Sequence, residues 1–303
     1  MELRQLTTFR TAATSLSFTR TAAILGYAQS SVTAQIQALE EELGVALFDR
    51  VGKRVSLTEA GQRLLWYANK LLNLAEEARE AVTREGAEPR GTLTFSAPET
   101  LCTYRLPAIL RQFKACFPEI KLVFRPTRLP DLRRCVGEGA LDLALLLEEP
   151  VQSAGLVVEK LRREPVLLLA PPDHPLSRLP VVYPEDLKDE TILLTEAGCS
   201  YRAMFLRVLG ERGVQPAATL EFDSVEAIKQ CVMAGMGIAV LPEIAVAAEI
   251  ASGRLCVLGW SEKEFEILTQ MIWHKDKWLS PAMQAFINTT REVLNRTEVE
   301  VAN

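Results

Sequence analysis

The stretch SFTRTAAILGYAQSSVTAQIQALEEELG, residues 17–44, holds two runs of helical periodicity on either side of GYAQ at 26–29. The spacing predicts helices over Phe18–Leu25 and about Gln29 to Leu43, the later one with Val32, Ile36, Leu39 and Leu43 as its apolar stripe. A preceding helix would place Leu3, Leu6, Phe9 and Ala13 on one face. Two helices crossing this close need a small residue at the crossing and a turn residue tolerant of unusual angles, which Ala22 and Gly26 supply. The middle helix then positions the third, whose polar residues Gln29, Ser30, Ser31, Thr33 and Gln35 face outward. Gln bonds adenine bidentately, and Ser or Thr contacts base edges or phosphates. The same residues could equally form the exposed polar face of a small helical bundle.

The next segment bears on that choice. LFDRVGKRVSLTEAG, residues 47–61, places Arg50, Lys53 and Arg54 around Gly52 and continues in alternation through Val55, Ser56 and Leu57. A hairpin with three cations at its tip is a wing suited to phosphates or the minor groove, or else a solvated basic turn. Thr58 caps the following helix. Along it Gly61, Leu64, Ala68, Leu71, Ala75, Ala78 and Val82 step by three and four, a spacing that predicts a dimerisation seam. Dimers suit such readers because two half-sites need two recognition helices.

The charge balance agrees. The net charge of −5 excludes a chain that coats nucleic acid along its length. Residues 1–63 hold seven Lys or Arg against six Asp or Glu, a net +1, which leaves −6 for the rest. Nearly half the chain is hydrophobic, enough for a large core. The six cysteines, 102, 116, 135, 199, 231 and 256, are scattered without a CxxC pair, and the start MELRQLTTFRTAA lacks a secretion signal. No apolar run is long enough for a membrane span. The expectation is a soluble cytoplasmic protein without metal or cofactor.

The block from Leu3 to Gly61, above all LEEELGVALFDR and LTEAG, resembles the LysR-type transcriptional regulators. The resemblance covers this block closely and the remaining chain in length and segment order. It implies a winged helix-turn-helix (1–58), a linker helix (59–89) and an effector domain (90–303) like a periplasmic binding protein. The first lobe would span about 90–163 and 266–303, the second about 164–265. It also implies a dimer of dimers, promoter DNA and RNA polymerase as partners, and a small-molecule effector. The helix from Gln29 to Ala38 lacks the Lys or Arg that family members often carry. Base readout would rest on Gln, Ser and Thr, with affinity from the wing cations and Arg4, Arg10 and Arg20.

From Leu93 onward, apolar β runs alternate with helical segments, an α/β pattern. Ligands in open α/β sheets sit at the C-terminal ends of strands. That rule points to Pro98-Glu99-Thr100, to Thr195–Tyr201 and to Asp223-Ser224. Thr100 either caps a helix or bonds a ligand oxygen, and the resemblance assigns it to the ligand. Thr127 is a further candidate of the same kind. Thr195, Ser200 and the Cys199 backbone would hold the ligand from the other lobe, where hydroxyls and helix N–H groups favour a carboxylate-sized acceptor. Glu99 would repel an anion, so the ligand's charge stays open.

Cys199 follows Gly198 at a predicted helix start, where the helix dipole and Arg202 would lower a thiol pKa. Peroxide-sensing members of the family carry a reactive Cys in a similar place, preceded by His and followed by a second Cys. Here Gly198 and Val208 stand at those positions, so Cys199 reads as a pocket-lining thiol, with redox sensing as the alternative. His174 and His274 belong to no triad, and AGMGIAV (234–240) runs from helix to strand, the reverse of a dinucleotide fingerprint. An enzyme is therefore not expected, and a solute-binding or enzyme-like α/β protein is the remaining alternative.

Overall fold

The computed structural model describes residues 1–51, 54–83, 89–262 and 265–301. It forms two compact units, residues 1–88 with 138–140, and residues 89–137 with 141–303.

The first unit is built on α1 (Leu3–Ser15), α2 (Phe18–Leu25) and α3 (Gln29–Leu43). Ser17 caps α2 by accepting from the Arg20 amide, and Gly26 ends it with φ 68°. Leu6, Phe9, Val32, Ile36 and Leu39 are fully buried together. Strands β1 (Phe48–Val51) and β2 (Arg54–Leu57) form an antiparallel hairpin. Phe48 closes the core by edge contacts with Phe9 and Phe18 at 5.5 and 5.3 Å between centroids. Glu40 explains part of the LEEELGVALFDR pattern: its Oε1 accepts from the amides of Leu47 (2.7 Å) and Phe48 (3.2 Å), so one carboxylate pins the entry to the hairpin.

Helix α4 (Glu59–Thr83) starts at Thr58, whose hydroxyl accepts from the Gly61 amide at 2.9 Å. A Cβ on Gly61 would lie 2.1 Å from the Leu47 carbonyl oxygen, so the glycine in LTEAG lets the helix meet that backbone. The predicted seam needs correction here. Ala68 is fully buried, and Leu64, Leu65 and Leu72 pack with it on the first unit's own core. Among the described side chains of α4, the exposed apolar ones are Tyr67, Leu71, Leu74 and Ala78. Leu71 and Ala78 belong to the predicted stripe, which shifts toward Tyr67 and Leu74 as Leu64 and Ala68 turn inward. Ala75 is half-buried, and the Val82 side chain lies outside the described residues.

The second unit has two five-stranded sheets. The first lobe holds β3 (Gly91–Ser96), β4 (Ile120–Phe124), β5 (Leu143–Glu148), β6 (Leu156–Arg163) and β12 (Leu268–His274) in the order β4-β3-β5-β12-β6. β3 is parallel to β4 and β5, while β12 is antiparallel to β5 and β6. The second lobe holds β7 (Val166–Ala170), β8 (Thr191–Thr195), β9 (Ala218–Phe222), β10 (Ile238–Pro242) and β11 (Cys256–Val257) in the order β11-β7-β10-β8-β9. Around the sheets lie α5 (Glu99–Tyr104), α6 (Leu106–Cys116), α7 (Leu129–Gly137), α8 (Ser200–Glu211), α9 (Val225–Met233) and α10 (Glu243–Ala251). The last helix, α11 (Pro281–Val301), returns to the first lobe, where Phe286 stacks with Phe95 and Phe113 at 5.2 and 5.3 Å.

The chain crosses between lobes twice, near residues 164 and 267, and the crossings pair through Glu164 N–H to Ile267 O at 2.9 Å. Beside them Arg105 donates twice to the buried Glu164 carboxylate, at 2.9 and 2.6 Å, and the Thr269 hydroxyl donates a third bond at 2.9 Å. A buried carboxylate with three donors is fully compensated, and it ties the first lobe to the connecting strand.

Candidate functional site

The β3–α5, β8–α8 and β9–α9 junctions open into one crevice between the lobes. It is lined by Pro98, Glu99, Thr100, Leu129 and Leu147 from the first lobe and by Glu196, Cys199, Tyr201, Asp223 and Val225 from the second. It is open to solvent and comprises about 350 Å³ of empty space with that open solvent included. These are C-terminal ends of parallel strands, where such folds place ligands.

Of the predicted contacts, Pro98, Glu99, Thr100, Cys199 and Asp223 line the crevice, and Thr127, Thr195 and Ser200 do not. Thr127 turns its hydroxyl to the Arg125 carbonyl at 3.1 Å. Thr195 is buried in the strand end, where its hydroxyl has no hydrogen-bond partner among the described residues. Ser200 accepts from the Glu149 amide at 3.3 Å, so it joins the lobes directly. Thr100 is not a cap, because α5 starts from Pro98 and Thr100 lies inside its first turn, nearly fully buried. Its side chain lines the crevice from the first lobe, facing Tyr201 and Cys199 of the second.

Sequence reasoning passed over Tyr201, Glu196, Leu129, Leu147 and Val225 as individual contacts. Tyr201 was legible in principle, since a helix's second residue shares the orientation of its first turn toward the strand ends.

The crevice is acidic. Partial burial, then the neighbouring Glu196 and Glu226 carboxylates, raise the Glu99 pKa above the usual range, with Lys229 pulling the other way. Burial and Glu99 push the Cys102 thiol up to about 11. Lys229 is committed elsewhere, to Glu226 at 2.8 Å, Glu249 at 3.0 Å and the Tyr104 hydroxyl at 3.3 Å. Arg202 is likewise held by the Thr195 carbonyl and by Glu221 at 2.7 Å. For Cys199 the expected depression of the pKa is overturned: burial pushes the thiol up, outweighing the polar groups around it.

In the first unit, Gln29, Ser30 and Ser31 are exposed at the start of α3, and Arg4 and Arg20 are exposed on α1 and α2. Thr33 folds its hydroxyl back to the Gln29 carbonyl at 3.1 Å. Gln35 is tied to α1, its Oε1 accepting from the buried Thr8 hydroxyl at 2.8 Å. Arg50 and Arg54 lie on the two hairpin strands, opposite Val55 and Val51. Their side chains, and Lys53 altogether, lie outside the described residues.

Among the described residues no helix is long and apolar enough to cross a membrane, and no group of three or more His, Cys, Asp or Glu is placed to hold a metal ion.

A helix-turn-helix unit with a hairpin wing, followed by a long helix and a two-lobed α/β unit with a crevice, defines a DNA-binding transcriptional regulator with a substrate-binding domain. Residues 3–62 match the family described as bacterial regulatory helix-turn-helix protein, lysR family, and residues 86–295 match the LysR substrate binding domain. The chain belongs to the LysR family of transcriptional regulators. It is 48% identical over 294 residues to a Bacillus subtilis protein described as uncharacterized HTH-type transcriptional regulator YwqM, covering 96% of this chain and 99% of that protein. Among solved structures it is similar to a full-length OxyR from Pseudomonas aeruginosa carrying a cysteine-to-aspartate substitution, with TM-score 0.78, 27% identity, and 97% and 95% of the two chains covered. The CcmR regulatory domain of Synechocystis PCC6803, solved in complex with 2-PG, matches with TM-score 0.61 and 26% identity, over 68% of this chain and 98% of that one.

Proposed function

We propose that this regulator binds promoter DNA through paired winged helix-turn-helix units and that a small molecule in the interlobe crevice controls that binding. The observation that carries the reading is the crevice, whose lining brings Thr100 of one lobe to the same space as Tyr201 and Cys199 of the other. A ligand that touches both lobes there favours one lobe arrangement over another. The solved complex of CcmR with 2-PG is in keeping with a ligand-binding regulatory domain in this family.

Gln29, Ser30 and Ser31 approach the base edges, while Arg4, Arg10, Arg20, Arg50, Lys53 and Arg54 supply the phosphate contacts. Thr33 and Gln35, whose side chains are partly engaged, hold α3 in register. The exposed Tyr67, Leu71, Leu74 and Ala78 face of α4 pairs two chains, and two such dimers bind an operator. Residues 1–58, 59–89 and 90–303 are the functional divisions, and RNA polymerase reads the resulting complex in the cytoplasm. Redox sensing is the weaker reading, because burial holds Cys199 in its thiol form.

The test is a gel shift on the DNA upstream of the protein's own gene, with and without small-molecule extract. The account expects a shifted complex whose pattern changes with extract in the parent protein. In Thr100→Val the extract should change it less. An identical change in both would remove the crevice from the reading.

A further inference from the structure

We propose that the crevice selects a small organic cation, an amine or amidine on an aliphatic body, over carboxylates of the same shape. This rests on the reading of the crevice as the effector site. Three carboxylates line it, those of Glu99, Glu196 and Asp223. Among the described residues none of the three has an ion-pair or hydrogen-bond partner. Other carboxylates nearby are paired: Glu226 with Lys229 at 2.8 Å, and Glu221 with Arg202 at 2.7 Å. No Lys, Arg or His lines the crevice, and Lys229 and Arg202 near it are held by other partners.

Two opposing effects must be weighed. The N-termini of α8 and α9 point toward this end of their strands, and a helix N-terminus carries roughly half a positive charge that favours anions. That positive field is partly answered already, since Ser224 caps α9 by accepting from the Ala227 amide. Against these partial charges stand three carboxylates, and burial together with the Glu196 and Glu226 carboxylates raises the Glu99 pKa. The negative sign wins. A metal ion is a poorer occupant, because these carboxylates are not grouped closely enough to hold one. Leu129, Leu147 and Val225 supply an apolar wall for an aliphatic body, and Thr100 and Tyr201 supply hydroxyls beside it. Unpaired carboxylates reject an anionic competitor as well as attracting a cation, which gives specificity in both directions.

Calorimetry on the full-length protein tests this with putrescine, cadaverine and agmatine as cations. Succinate, glutarate and adipate serve as anions of similar length, and 1,5-pentanediol as the neutral control. At least one cation should bind at least about tenfold more tightly than its diacid counterpart. The shape-conserving pair Glu99→Gln and Asp223→Asn should lose about tenfold of that affinity, with melting temperature and circular dichroism as folding controls. Failure of every amine to bind, a diacid binding the parent more tightly than any amine, or amine binding that survives the double variant would overturn the cation assignment. Leu129→Trp, which narrows the crevice, separates this from the broader reading. If it abolishes binding of a diacid, the crevice is the site and only its charge preference was misassigned. If it leaves the binding of every probe and the extract-dependent gel shift unchanged, the crevice reading itself fails.

Discussion

Tyr201 on α8 and Thr100 on α5, both nearly fully buried, line the crevice from opposite lobes. A direct link between the lobes runs from Lys229 on α9 to the Tyr104 hydroxyl at 3.3 Å. Tyr201→Phe removes a hydroxyl from the crevice while keeping the ring. Its expected outcome is an altered transcriptional response to effector with fold intact, read by a reporter and by thermal melting together. An unaltered response would place the coupling elsewhere.

Arg105 and Glu164 lie where the chain crosses between lobes, with their side chains 10% and 1% exposed. Glu164→Gln leaves Arg105 buried without its counter-charge and is expected to destabilise the second unit by about 3–5 kcal/mol. Replacing both, Arg105→Met with Glu164→Leu, should recover much of that loss. Urea unfolding of the parent, Arg105→Met, Glu164→Leu and the double variant measures the cycle, and additive losses would show the pair to be uncoupled.

Helix α4 now makes two separable predictions. Leu71→Glu with Leu74→Glu charges its exposed face, and sedimentation should show the dimer lost while the first unit remains folded. Leu64→Glu places a charge against the buried core and should instead lower the melting temperature. If the Leu71/Leu74 variant stays dimeric, partners meet elsewhere.

Cys199 is expected to be a poor nucleophile. With its pKa raised above the usual thiol value, less of it is thiolate at pH 7–8 than in an exposed cysteine. Alkylation of Cys199 by iodoacetamide should trail that of the exposed Cys116, and Cys199→Ser should change no peroxide response. Loss of such a response in Cys199→Ser would restore the redox reading.

Much of the N-terminal unit was legible because its signals are local. Helix periodicity, Gly26 and the Thr58 cap each act within a few residues. Glu40 was harder, since its amide partners at 47 and 48 become visible only when the turn folds back. The α4 stripe misled because a heptad pattern gives a spacing without saying which of two neighbouring faces meets the chain's own core. Gly61 held that clue, as a glycine in a helix's first turn marks a close backbone approach. In the second unit, the strand-end rule found Pro98, Glu99, Thr100, Cys199 and Asp223. After β4 it singled out Thr127, and it did not find Leu129 at the start of α7 or Leu147 near the end of β5. Nor could it foresee that Ser200 turns to Glu149, because hydrogen-bond competition is decided by tertiary neighbours. The Cys199 pKa inverted for a related reason: helix position is local, but burial is not.

The most direct test of the central claim is DNase footprinting of the full-length protein on its own upstream DNA, with and without low-molecular-mass cell extract. The parent and Leu129→Trp are compared, each against its own extract-free footprint. The account expects extract to change the footprint of the parent and not that of Leu129→Trp. The same extract-dependent change in both proteins would contradict it.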